Sequence, residues 1–377
     1  MSPFDQPLLP QSIADREAGP ATTASSAVTG LCTGDFHDRW DQARQVASLG
    51  AAALADLLTI LQDDDQDWEA RWFAARTLGD LRQPEVIAGL IETFATTEDD
   101  DLRQAVAAAL TQIGPPAIAA LGQQLAQPAL RPIAVQALAR IHHPDTIPLL
   151  LMAMEDERSP VRATALDALG SYADPLTLPA MEQGLVDPAV PVRLAAIRGL
   201  LSLRQHLDHD PMVQHLTPRL HDADHSVAQQ AIYGLGRLPS LAATQALLAI
   251  LQTSTLPTDR QIWAVQALIW QSTAPALDGL IAAWATLGEP VRLALVPRLT
   301  TLSPDLRAQA TSALVDWLRA VPTTPAHSPL RRHLVLTLGQ LGTVNLESTL
   351  QALLQDPDSG VRLHAEAALR QLATAPA

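Results

Sequence analysis

The densest set of potential ligands runs from His206 to His225: His206, Asp208, His209, Asp210, His215, His221, Asp222, Asp224 and His225. Imidazole and carboxylate are the donors that zinc and non-haem iron favour. His206 with His209 is an i, i+3 pair and His221 with His225 an i, i+4 pair, so helical segments would bring each pair to one face. Pro211 and the surrounding aspartates point instead to turns, and no metal site is expected. All 25 basic side chains are arginine. The absence of lysine removes Schiff-base chemistry and a phosphate-loop lysine. The single cysteine, Cys32, excludes an internal disulfide and a cysteine-built zinc site. No Ser/His/Asp, Cys/His or glycine-rich phosphate arrangement stands out, so neither a catalytic set nor a cofactor is expected.

The elements that would position these residues are repeats. An eight-residue phrase with leucine at offset 7 begins at Arg71, Arg103, Arg131, Arg162, Arg193, Ala228, Gln261, Arg292, Arg331 and Arg362. Successive copies start 32, 28, 31, 31, 35, 33, 31, 39 and 31 residues apart, and a weaker copy begins at Gln42. Apolar residues at offsets 3, 4 and 7 give each phrase a helical period. A preceding helix commonly opens near a proline, as at Pro84, Pro148 and Pro179. A period in this range marks a solenoid, in which no unit buries its apolar face alone. Pro297 falls inside a phrase and predicts a kink.

The recurrent arginine has a structural explanation. An aspartate stands six residues upstream in five copies: Asp65, Asp156, Asp187, Asp222 and Asp356. That spacing places it in the turn, where it can cap the second helix while the arginine bridges it within or between units. The acidic runs Asp63–Asp65 with Asp67, and Glu98–Asp101, read as solvated turns at helix N-termini.

A net charge of −15 and a pI near 5.0 argue against nucleic acid and anionic membrane as partners. No stretch reads as a bilayer span, and the opening residues lack the basic region of a secretory signal, so a cytoplasmic location is expected. Residues 1–34 are rich in small residues and proline and read as a disordered arm, with Cys32 an exposed thiol in it; residues 35–377 form the repeat domain.

The text "DERSPVRATALDALG", "DPAVPVRLAAIRGL" and "DPDSGVRLHAEAALRQL" resembles the short class of HEAT repeats, over nearly everything after residue 36. The resemblance implies an all-α, right-handed alpha-alpha superhelix of about ten to eleven helical hairpins. It is similar to the repeats of phycobilisome bilin lyases and related phycobilisome proteins. Deoxyhypusine hydroxylases share the class and bind two irons through His-Glu pairs. No His-Glu dipeptide occurs here, so a metal-dependent oxygenase is the least favoured reading.

In such stacks the second helix tends to line the concave side. Trp263 and Trp270, seven residues apart on one second helix, with Tyr233 nearby, are therefore candidates for an apolar anchor to a partner. The alternative is that these rings fill a gap between repeats. Arg198, and also Arg76 and Arg332, occupy variable offsets and would add carboxylate-recognising groups. The leading function is a non-catalytic scaffold for another protein. The second is a bilin lyase or bilin chaperone subunit, with a phycobiliprotein or a second HEAT-repeat chain as partner.

Overall fold

A computed structural model describes residues 24–253, 255–342 and 346–374. Among them are twenty-two α-helices and no strand. The chain divides into two compact units, residues 1–184 and 185–377. The first holds the hairpins α1 (Ala24–Thr33)/α2 (Phe36–Leu49), α3 (Leu54–Gln62)/α4 (Trp68–Leu78), α5 (Pro84–Thr96)/α6 (Asp100–Ile113), α7 (Ile118–Gln124)/α8 (Arg131–Ile141) and α9 (Ile147–Ala153)/α10 (Ser159–Ser171). The boundary falls within α11 (Leu178–Leu185). The second unit holds α12 (Val190–Ser202) and the hairpins α13 (His209–Leu216)/α14 (His225–Gly236), α15 (Leu241–Gln252)/α16 (Thr258–Gln271), α17 (Ala274–Ala283)/α18 (Glu289–Arg298), α19 (Arg307–Ala320)/α20 (Ser328–Leu341) and α21 (Glu347–Leu353)/α22 (Ser359–Thr374).

Within each unit the second helices form one row, α2 through α10 by even numbers and α12 through α22 likewise, each against the next. The phrase leucines Leu78, Leu110, Leu138, Leu169, Leu200, Leu235, Leu268, Leu299 and Leu338 are fully buried. Only Leu49 and Leu369, in the terminal copies, are half-buried. A Cβ on Gly236 would lie 2.9 Å from the Ala267 Cα, so glycine after the leucine lets α14 and α16 approach closely.

The arginine ladder is resolved hairpin by hairpin. Arg193 Nη1 donates to the carbonyls of Asp187 at 2.9 Å and Pro188 at 3.0 Å, and its Nη2 donates to Asp222 of the next hairpin at 2.8 Å. Arg131 reaches Asp156 at 2.7 Å, and Arg331 reaches Asp356. In these three copies the arginine ties its own turn's carbonyls to the next unit's carboxylate, whereas Arg71 pairs with Asp64 of its own turn at 2.8 Å. The aspartate itself closes its turn, accepting the amide two residues on, as Asp156 does from Arg158 at 2.8 Å and Asp222 from Asp224 at 3.0 Å. Helix capping, expected of these aspartates, falls instead to residues directly ahead of the helices: Asp67, Asp99 and Asp224.

Two further expectations need correction. The arm expected over residues 1–34 lies outside the described residues as far as 23, but Ala24–Thr33 is helical, with Leu31 fully buried. Small residues hid its helical period, and packing against α2 supplies the stability that propensity does not. Cys32 is accordingly half-buried, and burial pushes its thiol pKa up. Pro297 does not kink a continuing helix, because α18 ends one residue later and passes into a 3-10 turn. Finally, the run Phe36–Gln62 is long and apolar enough to cross a membrane by length and composition. Its course does not fit a span: Gly50 turns the chain at φ 60°, Asp38, Arg39, Asp41, Arg44 and Asp56 punctuate it, and Val46, Leu57 and Leu61 are buried in the protein core.

Candidate protein-binding surfaces

At ~100° per residue, phrase offsets 2, 5 and 9 fall within about 60° of one another and opposite the core offsets 3, 4 and 7. Trp263, Tyr233 and Trp270 hold these offsets. In the second unit Tyr233 on α14 lies 4.9 Å from Trp270 and 6.5 Å from Trp263 on α16, between ring centroids. His225, the first residue of α14, meets Trp263 edge-on at 4.5 Å, and its Nε2 lies 2.5 Å from Asp259. Trp270 is 47% exposed, while Trp263 and Tyr233 are half-buried. The three rings form one patch, and Arg198 is exposed on α12.

The first unit carries a more enclosed surface on its own row of second helices. Phe36 on α2, and Trp68, Trp72, Phe73 and Arg76 on α4, face the small side chains Ala105, Ala108 and Ala109 of α6 across a groove of about 500 Å³. The space exists because α6 presents alanines where α4 presents rings. Trp68 and Phe36 are 54% and 46% exposed. The Arg76 guanidinium lies 5.0 Å from the Trp40 ring centre and 5.6 Å from that of Trp72, positions suited to cation–π attraction. At one end Gln112 donates to Asp80, whose other oxygen is buried without a hydrogen-bond partner. Burial pushes the Asp80 pKa up, against the lowering effects of Arg76 and Gln112.

A family model for HEAT repeats matches residues 38–111, 54–131 and 115–201. Residues 38–201 carry HEAT repeats. Among solved structures, the karyopherin Kap121p bound to the extreme C-terminus of the protein phosphatase Cdc14p is 14% identical, with a TM-score of 0.60 over 93% of this chain and 46% of that one. Kap121p alone gives 0.55 at 14% identity, over 93% and 48%. An engineered protein is 20% identical over 94% of this chain and 100% of its own, at a TM-score of 0.40. The likeness is one of fold, and the chain spans about half the length of the karyopherins. No curated protein matches the sequence.

Within the helical hairpins of the second unit the His/Asp cluster has structural partners. Asp222 sits in the arginine ladder, Asp224 caps α14, His225 pairs with Asp259, and His209 Nε2 lies 3.2 Å from the Arg204 carbonyl. Among the described residues no three His, Cys, Asp or Glu side chains converge as a metal site would require. Arg332 is held bidentate by Asp358 at 2.8 and 2.7 Å, which occupies the group expected to meet a partner carboxylate. Apart from Arg76, the first unit's groove escaped the sequence reading. Its signal was aromatic spacing: Phe36 with Trp40, and Trp68 with Trp72, each four apart on one helical face.

Proposed function

We propose that this HEAT-repeat chain is a non-catalytic scaffold that binds another protein along its rows of second helices. The groove walled by Phe36, Trp68 and Trp72 carries the reading: large rings stand beside small side chains, on the face away from the core, where an apolar side chain of a partner would be covered. Kap121p, of the same fold, holds the end of another chain. At 14% identity that supports what the fold can do and does not carry over the partner. The cytoplasm is the compartment this proposal takes.

The test is affinity capture from native extract with the wild-type chain and with Trp68→Ser, followed by identification of the bound protein. The expected result is one defined partner, lost on substitution while helicity is unchanged. Equal retention by both would overturn the assignment of the groove.

A bilin lyase or chaperone acting on a phycobiliprotein is the second reading. Indole walls with one arginine would suit a flat tetrapyrrole carrying a propionate, and the resemblance of the repeats is its only other support. Added bilin whose absorption stays unshifted by the protein would remove it.

A further inference from the structure

Most arginines of this chain are committed to the ladder or to ion pairs. Arg204 and Arg237 are exceptions: neither has a carboxylate within ion-pair distance among the described residues. The Arg204 guanidinium donates from Nη1 to the Leu201 carbonyl at 3.1 Å. Yet both line one pocket of about 560 Å³ in the second unit, together with Gly236, Pro239, Trp270 and Gln271. Arg204 follows the end of α12, Arg237 follows the end of α14, and Trp270 lies in the last turn of α16.

The pocket's parts divide between shape and recognition. Gln271 is spent on structure: its Nε2 donates to the Leu235 and Leu238 carbonyls at 3.2 and 3.3 Å, and its Oε1 accepts from Thr244 at 2.8 Å. That fixes α16 against the end of α14 and leaves the two guanidiniums and the Trp270 ring as the groups available to an occupant. In a chain of net charge −15, two arginines without carboxylates at one pocket make a local positive site. Guanidinium matches carboxylate in geometry as well as charge. The 47% exposed Trp270 ring and Pro239 provide a flat apolar wall beside it.

We propose that this pocket binds an acidic segment of the partner protein, its carboxylate taken by Arg204 and Arg237 and a neighbouring aromatic or prolyl side chain laid on Trp270. The inference rests on the scaffold reading but uses a surface separate from the first unit's groove.

A fluorescein-labelled peptide of alternating Asp, Phe and Pro residues, titrated with the full chain by fluorescence anisotropy, tests it, with the same peptide bearing Asn for Asp as control. The expected result is at least ~tenfold tighter binding of the Asp peptide, weakened by added salt. Arg204→Gln, Arg237→Gln and Trp270→Ala should each weaken it several-fold with helicity unchanged, whereas Trp68→Ser should not. Equal affinity for both peptides, no binding of either, or arginine variants that bind like wild type would overturn the proposal. If the Asp peptide fails while Trp68→Ser still abolishes native capture, only this inference falls. If the peptide binds at the pocket and no native partner is found, the scaffold reading falls instead.

Discussion

Arg193 and Asp222 stand 29 residues apart in sequence and 2.8 Å apart in the fold, with both side chains nearly buried. Each therefore holds a neighbouring hairpin in register. Asp222 also accepts the Asp224 amide, and its carbonyl accepts from Arg260 at 2.7 Å. Asp222→Asn keeps the shape and removes the charge, leaving the Arg193 guanidinium buried without its counterion. Breaking one partner of such a pair costs roughly 3 kcal/mol. Urea unfolding should show that loss, and an unchanged midpoint would mean that the ladder adds no stability.

The same aspartates set the response to acid. Arg158 holds the Asp156 carboxyl well below the usual range, and the hydrogen bond from Arg39 lowers that of Asp67. For Asp222, burial pushes the pKa up, but Arg193 and the Asp224 amide outweigh it. Depressed folded values mean that the unfolded chain binds more protons at low pH. The stabilisation is then complete above the unfolded carboxylate value of about 3.9 and is lost as pH falls below it. Unfolding free energy should be flat from neutral pH to about 5 and drop steeply under ~4, a course that chemical denaturation at a series of pH values would follow.

Asp80 should behave with the opposite sign. Its folded pKa is raised, so the folded chain binds more protons, and ionisation opposes folding as pH rises through that value. Asp80→Asn retains an oxygen for Gln112 and removes the buried charge. The melting temperature at neutral pH should rise, with the gain vanishing in acid. A fall at neutral pH would show that the Asp80–Arg76 attraction dominates.

Leu169 represents the repeated core position and is fully buried. Leu169→Ala should cost about 2–5 kcal/mol through lost burial and the cavity it leaves. A midpoint equal to wild type would contradict the register on which every phrase was aligned.

The repeats were legible because leucine, alanine and glycine recur with the helical period, and hairpin stacking is local enough for that period to fix the core. That Tyr233, Trp263 and Trp270 are neighbours on one face follows from their offsets 2, 5 and 9, which lie opposite that core. What escaped depends on neighbours. The groove beside Trp68 exists only because α6 sets Ala105 and Ala108 against it, and the reach of Arg131, Arg193 and Arg331 forward to the next hairpin's aspartate is a matter of stacking rather than spacing. Arg204 and Arg237, 33 positions apart by their numbers, converge only once α12 and α14 end side by side.

Helix α1 lies in the segment that composition assigns to an arm. Val28 is 5% exposed and Leu31 fully buried, and the helix packs on α2, α3 and α4. Arg39 binds its far end, donating from Nε to the Gly34 carbonyl at 2.7 Å while both terminal nitrogens hold Asp67 at 2.6 Å. A chain begun at Asp35 would expose the apolar faces that Val28 and Leu31 cover, two side chains worth about 1.5–3 kcal/mol each. Compared with a chain begun at Ala24, it should lose about 3–6 kcal/mol of unfolding free energy and expose a surface that binds a hydrophobic dye. Trp40 and Phe73, whose rings sit 6.1 Å apart beneath this end of the row, would report the loosening as a red shift in tryptophan emission. Identical melting curves for the two truncations would return residues 24–33 to the arm.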